Sequence, residues 1–186
     1  MTISHDVSTT PQHAIEIKLN QVQQLFDSHD PAPFRERDLD KKAEDYIVES
    51  FKALKTTAPI QLIIHLPENQ ILPHTELELI QAIRHHFTLQ ANFTRRKITD
   101  LLTQGQWFFL TGIVFLAVCT YFAYYLLHFT DAILKHTLGE GLNIIGWVAM
   151  WKPIEIFLYD WRPLRVLYKC YRSLSEIEIH LISVNN

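Results

Sequence analysis

Two cysteines in 186 residues are too few, and too far apart, to organise the chain. Cys119 lies inside one apolar run and Cys170 beyond another, with no metal-ligand spacing between them; their different positions relative to those runs argue against a structural disulfide. An excess of positive charge is also missing, with 17 Lys and Arg set against 20 Asp and Glu. That balance speaks against a general nucleic-acid surface. The opening MTISHDVSTT lacks the basic start and apolar core of a secretory leader, so residues 1–12 read as a disordered tail. Ten histidines are scattered, only His85 and His86 are adjacent, and none stands in the His-x-x-x-His spacing that supports a metal on a helix. No phosphate loop, nucleophile–base pair or metal motif occurs, so neither an enzyme nor a cofactor is expected.

What the chain does have is an uneven distribution of apolar residues. They make up 48% of the sequence and concentrate between positions 106 and 161. WFFLTGIVFLAVCTYFAYYLL, residues 107–127, carries no charge and exceeds the roughly twenty helical residues needed to cross a hydrocarbon core of ~30 Å. Trp107 at one end and Tyr124 with Tyr125 near the other suit the two membrane interfaces. A transmembrane helix is predicted over 106–128. The second run, LGEGLNIIGWVAMWKPIEIFLY over 138–159, is long enough but contains Asn143, Lys152 and Glu155. A single span with a soluble second apolar segment is the rival reading. The flanks decide against it. Arg95, Arg96 and Lys97 precede the first run, Arg162, Arg165, Lys169 and Arg172 follow the second, and the connection holds one lysine and two acids. Basic flanks mark the cytoplasmic side. The reading is therefore an external loop over 129–137, a second transmembrane helix over 138–160, and both termini in the cytoplasm.

The remainder predicts a cytoplasmic α/β domain over 13–104. HAIEIKLN alternates Ile15, Ile17 and Leu19 with Glu16, Lys18 and Asn20, the two-residue period of a half-buried strand. IQLIIHL, residues 60–66, alternates less and reads as the more central strand. EIEIHLIS repeats the first pattern, so a C-terminal strand over 175–184 is expected to return and complete the sheet. DLDKKAEDYIVESFKALK reads as a helix capped by Asp38 or Asp40, with Leu39, Ala43, Ile47, Phe51 and Leu54 along one face. Thr75 and Glu78 form a capping box that opens a second helix, whose face continues through Ile80, Ile83, Phe87, Thr94, Ile98 and Leu101. Thirty residues from Thr75 to Gln104 would extend ~45 Å. That is too long to bury its stripe on three short strands, so the helix either breaks near Asn92 or packs against copies of itself. The expected fold class is an α/β cytoplasmic module, a small three-stranded sheet with two helices, plus a two-helix transmembrane hairpin.

Three stretches are candidate sites. The loop over 26–40 gathers Asp30, Arg35, Glu36, Arg37 and Asp38, and reads either as an interaction site or as a solvated connector held extended by its prolines. Residues 162–174 read as a basic amphipathic interfacial helix in which Arg162, Arg165, Lys169 and Arg172 share one face. These four are candidate lipid-headgroup contacts, either as plain anchoring to anionic lipid or as a headgroup pocket. KPIEIFLYDW places Lys152 about 10 Å inside the boundary expected at Tyr159. Lys152 and Glu155, three apart, can pair on one side with Tyr159 and Arg162, while Pro153 should kink the helix. With Asn143 they form a candidate intramembrane polar site, read either as a snorkelling lysine with its partner or as a lining between subunits.

LFDSHDPAPFRERDLDKKAEDYIVES and GWVAMWKPIEIFLYDW resemble a family of bacterial two-span membrane proteins, a likeness that covers most of the chain. It implies this topology and an inner-membrane setting, and attaches no substrate. The pore signature of the mitochondrial calcium uniporter is a different pattern, because here Trp147 is followed by Val148, and Lys152 precedes Pro153. The expectation is an inner-membrane scaffold or regulatory interaction protein, self-associating as a homo-oligomer and in contact with membrane lipids. The alternative is a small oligomeric channel using Lys152 and Glu155.

Overall fold

A computed structural model describes residues 14–28, 31, 33, 37–54, 60–68, 73–129 and 132–184, with the backbone alone for 73–75, 126–129, 132–136 and 184. The tail expected over 1–12 lies outside them. The chain divides into two compact units: unit 1 comprises Met1–Asn92 and Tyr168–Asn186, and unit 2 comprises Phe93–Leu167.

Unit 1 is built on a three-stranded sheet. Strands β1 (Ala14–Lys18), β2 (Gln61–Pro67) and β3 (Glu178–Val184) stand in the order β1-β2-β3. Both pairings are parallel, with Ala14 opposite Gln61 and Gln61 opposite Glu178. The central strand is the one with the least alternation, and Leu62, Ile63, Ile64 and Leu66 are all buried. Strands covered on both faces read this way. Fully burying each of Leu62, Ile64, Leu79, Ile83 and Leu174 contributes about 1.5–3 kcal/mol.

Parallel neighbours cannot be joined by a tight turn; each pair needs a crossover. The first crossover holds a 3-10 turn at Val22–Leu25, which the sequence reading did not foresee, and helix α1 (Lys41–Leu54). The second runs through α2 (Pro73–Phe129) and α5 (Trp161–Ser175), with the rest of unit 2 between them. β3 therefore joins the sheet only after the chain has passed through the other unit.

Helix α1 begins at Lys41, directly after Asp40, because the backbone before it is engaged elsewhere. Phe26 and Leu39 form an antiparallel bridge, Asp27 N donates to Asp38 O at 2.9 Å, and Asp40 N donates to Leu25 O at 2.9 Å. Of the two possible caps, Asp40 does the work: its Oδ1 accepts from Lys42 N at 2.9 Å, a first-turn donor that a helix otherwise leaves unsatisfied. Helix α2 starts at Pro73, ahead of the expected Thr75, where proline's fixed φ suits a first turn. The Thr75 side chain of the expected capping box lies outside the described residues. The helix does not break near Asn92 but continues to Phe129. Its buried side in unit 1 is Leu79, Ala82, Ile83, His86, Phe87 and Ala91.

One described stretch, Glu76–Tyr125 of α2, which begins in unit 1 and ends in unit 2, contains a window long and apolar enough to cross a membrane, with mean hydropathy 1.8 and 17% of it buried. The second expected span is not one α-helix. Helix α3 (Ala132–Ala149) begins six residues before position 138, which leaves only residues 130 and 131, outside the described set, of the loop expected over 129–137. The helix is interrupted at Met150 and resumes as α4 (Trp151–Glu155). A π-helical segment, Ile156–Asp160, then leads into α5. The expected disturbance from Pro153 is thus felt three residues upstream. Proline gives no N–H to the carbonyl of Ala149 and crowds it, and Met150 N turns back to Trp147 O at 3.0 Å.

The return path runs back along α2. An added Cβ at Gly105 would lie 2.9 Å from Ile156 Cγ2, one at Gly112 2.9 Å from Met150 Sδ, and one at Gly146 2.8 Å from Leu116 Cδ1. As the α2 position rises its partner's falls, which is antiparallel order. Gly105, Gly112 and Cys119 recur every seven residues on one side of the seam, and Gly139, Gly146 and Pro153 on the other, and all six are buried. A seven-residue repeat keeps a helix seam facing its partner. Small residues at these positions let the backbones approach closely.

Candidate functional site

Two clusters, one in each unit, set a nitrogen group between two carboxylates. In unit 1 that group is the imidazole of His86, only 2% exposed, on the buried side of α2. Its Nδ1 lies 3.0 Å from Asp38 Oδ1, and its Nε2 lies 3.5 Å from Glu44 Oε2 on α1, an ion-pair separation. The other Glu44 oxygen accepts a 2.6 Å hydrogen bond from the Tyr171 hydroxyl on α5. Leu39 N also donates to His86 Nδ1, at 3.3 Å. These contacts tie the 38–40 segment, α1, α2 and α5 together around one imidazole. Phe87 closes the cluster, with its ring centroid 5.5 Å from that of His86 and 6.2 Å from that of Tyr171.

The two contacts at Nδ1 require different protonation states. A neutral ring with a bare Nδ1 accepts from Leu39 N, whereas a protonated Nδ1 donates to Asp38. Burial disfavours the charged ring, but Glu44 and Asp38 outweigh it and hold the His86 pKa above its ordinary value. The reciprocal effect of His86 holds Glu44 below its own usual value, against the opposing pull of burial and with help from Tyr171. Burial, and then Glu44, push the Tyr171 phenol up. The neighbouring Cys170 thiol is raised by burial to about 11. Cys119 and Cys170 are both buried and free.

In unit 2 the cation is Lys152. Its Nζ lies 3.1 Å from Glu155 Oε2, the pairing expected from their spacing, and 3.5 Å from Asp160 Oδ2. Asp160 was not among the expected partners, and the π segment explains it. Eight residues of plain α-helix make about 2.2 turns and would carry Asp160 well round from Lys152. The extra residue of a π turn returns it to nearly two full turns, roughly where Tyr159 would otherwise stand. The side chains are partly open, at 57% for Lys152 and 33% for Asp160. Asn143 is exposed on α3 and takes no part in this cluster. Beside Lys152 lies an open groove of about 510 Å³ lined by Phe108, Thr111, Gly112, Phe115, Ala149 and Pro153.

The remaining expected positions separate. Of the loop set, Asp30, Arg35 and Glu36 lie outside the described residues. Asp38 touches His86 from a side chain that stays 59% exposed, and Arg37 keeps a buried Nε with no hydrogen-bond partner among the described residues. Arg162, Arg165, Lys169 and Arg172 are all exposed on α5. Two of them stack on aromatic rings, Arg162 at 5.9 Å from the Tyr159 centroid and Arg165 at 5.3 Å from Trp161. Arg172 instead pairs with Glu176 at 3.7 Å. The apolar side of this helix is not offered to lipid along its second half, where Cys170, Tyr171 and Leu174 are buried in unit 1.

His86, Glu44, Tyr171 and Asp160 escaped the sequence reading. His86 alone left a signal there, standing at the core spacing of Leu79, Ile83 and Phe87 on an amphipathic helix. Among the described residues no group of three or more His, Cys, Asp or Glu is placed to hold a metal ion. Comparison of the chain with protein-family models, with curated proteins and with solved structures finds no match in any of the three. They bear neither for nor against the resemblance to bacterial two-span proteins.

Proposed function

We propose that this is an integral protein of the bacterial inner membrane. Unit 2 crosses the bilayer as a two-helix hairpin, and unit 1 stands in the cytoplasm as a scaffolding or regulatory interaction domain, self-associated as a homo-oligomer. One observation carries the reading. Trp107, Leu110, Val114, Tyr121 and Phe122 on α2, with Ile144, Trp147, Val148 and Trp151 on the returning segment, are all exposed large apolar or aromatic side chains. Soluble monomers rarely leave apolar patches of that extent in water. The seam of glycines and Cys119 adds support, since helices in lipid associate through close packing of small residues. Basic residues flank both ends, Arg95 to Lys97 on one side and Arg162 to Arg172 on the other, which favours a cytoplasmic position for both. The uninterrupted course of α2 favours self-association over a helix folded back on the sheet.

A second reading, a small oligomeric channel, is favoured by the Lys152–Glu155–Asp160 cluster beside the apolar groove, because ionisable groups at membrane depth often line ion routes. The two separate in purified protein. Mass measurement in detergent should give a multiple of the 21.8 kDa chain; a monomer would remove both self-association and the pore. Liposomes carrying the protein should show no selective ion flux, and flux abolished by Lys152→Ala would establish the channel instead. For the topology, a cysteine replacing Lys135 in a Cys-free chain should react with an impermeant reagent from outside, while one replacing Arg165 should not.

A further inference from the structure

We infer that unit 2 carries a binding site for an aminophospholipid, with an acyl chain along the groove between Phe108 and Pro153 and an ethanolamine headgroup at Lys152, Glu155 and Asp160. The site rests on the reading that unit 2 lies in a bilayer. The groove's volume, about 510 Å³, falls within the ~300–1,000 Å³ usual for ligand clefts. Its lining favours hydrocarbon. Phe108, Phe115, Ala149 and Pro153 are apolar, and Gly112 contributes only backbone. The Thr111 hydroxyl lies 3.0 Å from Trp107 O and 3.1 Å from Phe108 O in its own helix, so its methyl group is what remains for a ligand. Lys152 is the one charged residue in the lining.

The charges around Lys152 select the headgroup. One ammonium between two carboxylates leaves the cluster at net −1, so an anionic glycerol headgroup meets a negative site. A choline headgroup carries a positive charge but has no N–H to donate. A primary ammonium donates three hydrogen bonds, as lysine does. In a zwitterionic ethanolamine lipid the phosphate reaches Lys152 Nζ, and the ammonium reaches Glu155 and Asp160. Both carboxylates are open enough for this, with side-chain exposures of 41% and 33%. The second carboxylate is there only because the π segment brings it round, and π turns inside α-helices are frequent at functional sites. Arg162 and Arg165, exposed nearby over Tyr159 and Trp161, attract anionic lipid. A preference for the amine therefore has to come from the cluster.

The test uses the full chain reconstituted in vesicles of equal parts phosphatidylethanolamine, phosphatidylglycerol and phosphatidylcholine. Flotation is measured first, then the lipids retained on the protein by native mass spectrometry in mild detergent. The expected result is co-flotation and an excess of retained ethanolamine lipid of about ten-fold over either competitor, the discrimination of a single charge-assisted contact. Asp160→Asn should lower that excess to about two-fold or less, and Thr111→Trp, which fills the groove, should reduce retention of all three lipids. Cys119 protection from thiol reagents checks that each variant keeps its seam packed, and Phe115→Trp replaces Thr111→Trp if it does not. Protein that floats but retains the three lipids equally, or favours phosphatidylglycerol, overturns the site alone. Protein that floats with no vesicle overturns the membrane reading and the site with it.

Discussion

The His86 and Lys152 clusters have the same inventory, one nitrogen base and two carboxylates, at nearly the same distances: 3.0 and 3.5 Å in one, 3.1 and 3.5 Å in the other. They differ in how the chain assembles them. The Lys152 cluster comes from nine consecutive residues and stays open. The His86 cluster draws Asp38, Glu44, His86 and Tyr171 from four separate segments, and its imidazole is shut away from solvent. Charges held by neighbouring positions on one helix cost little chain entropy to arrange and, left partly open, keep bonding capacity for another partner. His86 and Glu44, a buried pair with side chains 2% and 14% exposed, depend on one another while Asp38 stays open at 59%, and removing one of the pair strands the other. The first kind of cluster offers chemistry to a ligand; the second fixes a fold.

The comparison breaks most sharply at Glu44. Glu44→Ala leaves the Tyr171 hydroxyl without its acceptor and His86 without its buried carboxylate, and should cost unit 1 about 3 kcal/mol. The chain supplies its own reporters: exposure of Cys170 during urea unfolding reads unit 1, and Cys119 reads unit 2, so the Cys170 midpoint should fall while that of Cys119 holds. Tyr171→Phe removes one hydrogen bond to a charged acceptor and should cost unit 1 about 1.5 kcal/mol, seen as a smaller fall of the same midpoint. A smaller effect is the pH dependence. The His86 pKa is raised on folding, so its contribution is complete below its ordinary value of 6.5 and is lost as pH climbs through the raised value. The Glu44 pKa is lowered, so its contribution is present above 4.5 and is lost as pH falls through the lowered value. By linkage, this cluster's contribution to unit 1 is greatest between those limits. His86→Gln should flatten the alkaline side when Cys170 exposure is pulsed at one fixed labelling pH. Lys152→Ala should have the smallest effect, moving neither cysteine's midpoint beyond error. A shift as large as that of Glu44→Ala would dissolve the distinction between the two clusters.

The same contrast explains what could be read without coordinates. Strands announced themselves through alternation at Ile15–Glu16–Ile17 and through its loss at Leu62–Ile63–Ile64. The uncharged run after Trp107 and the Lys152–Glu155 pair were equally legible, because each depends on neighbours along the chain. Asp160 was not, since an α-helical period puts Tyr159 on the lysine's side and nothing local signals the inserted residue of a π turn. The interruption at Met150 was expected at Pro153 because proline's effect falls on a carbonyl four residues earlier. The His86 cluster was out of reach for another reason. Its Asp38 looked like a second helix cap beside Asp40, and only the bridge between Phe26 and Leu39 turns it toward the imidazole.

The parallel sheet also imposes an order of events. Gln61 and Glu178, hydrogen bonded at 2.8 Å, are 117 residues apart, and every residue of unit 2 is synthesised between them. Contacts so distant in sequence are slow to form and close late. Until β3 arrives, one edge of β2 stands open with its N–H and C=O groups unpaired, a surface prone to pairing with other chains. Assembly of the sheet thus doubles as a completion check: a chain stalled or misrouted within unit 2 keeps an exposed strand edge, recognisable to whatever clears unfinished proteins.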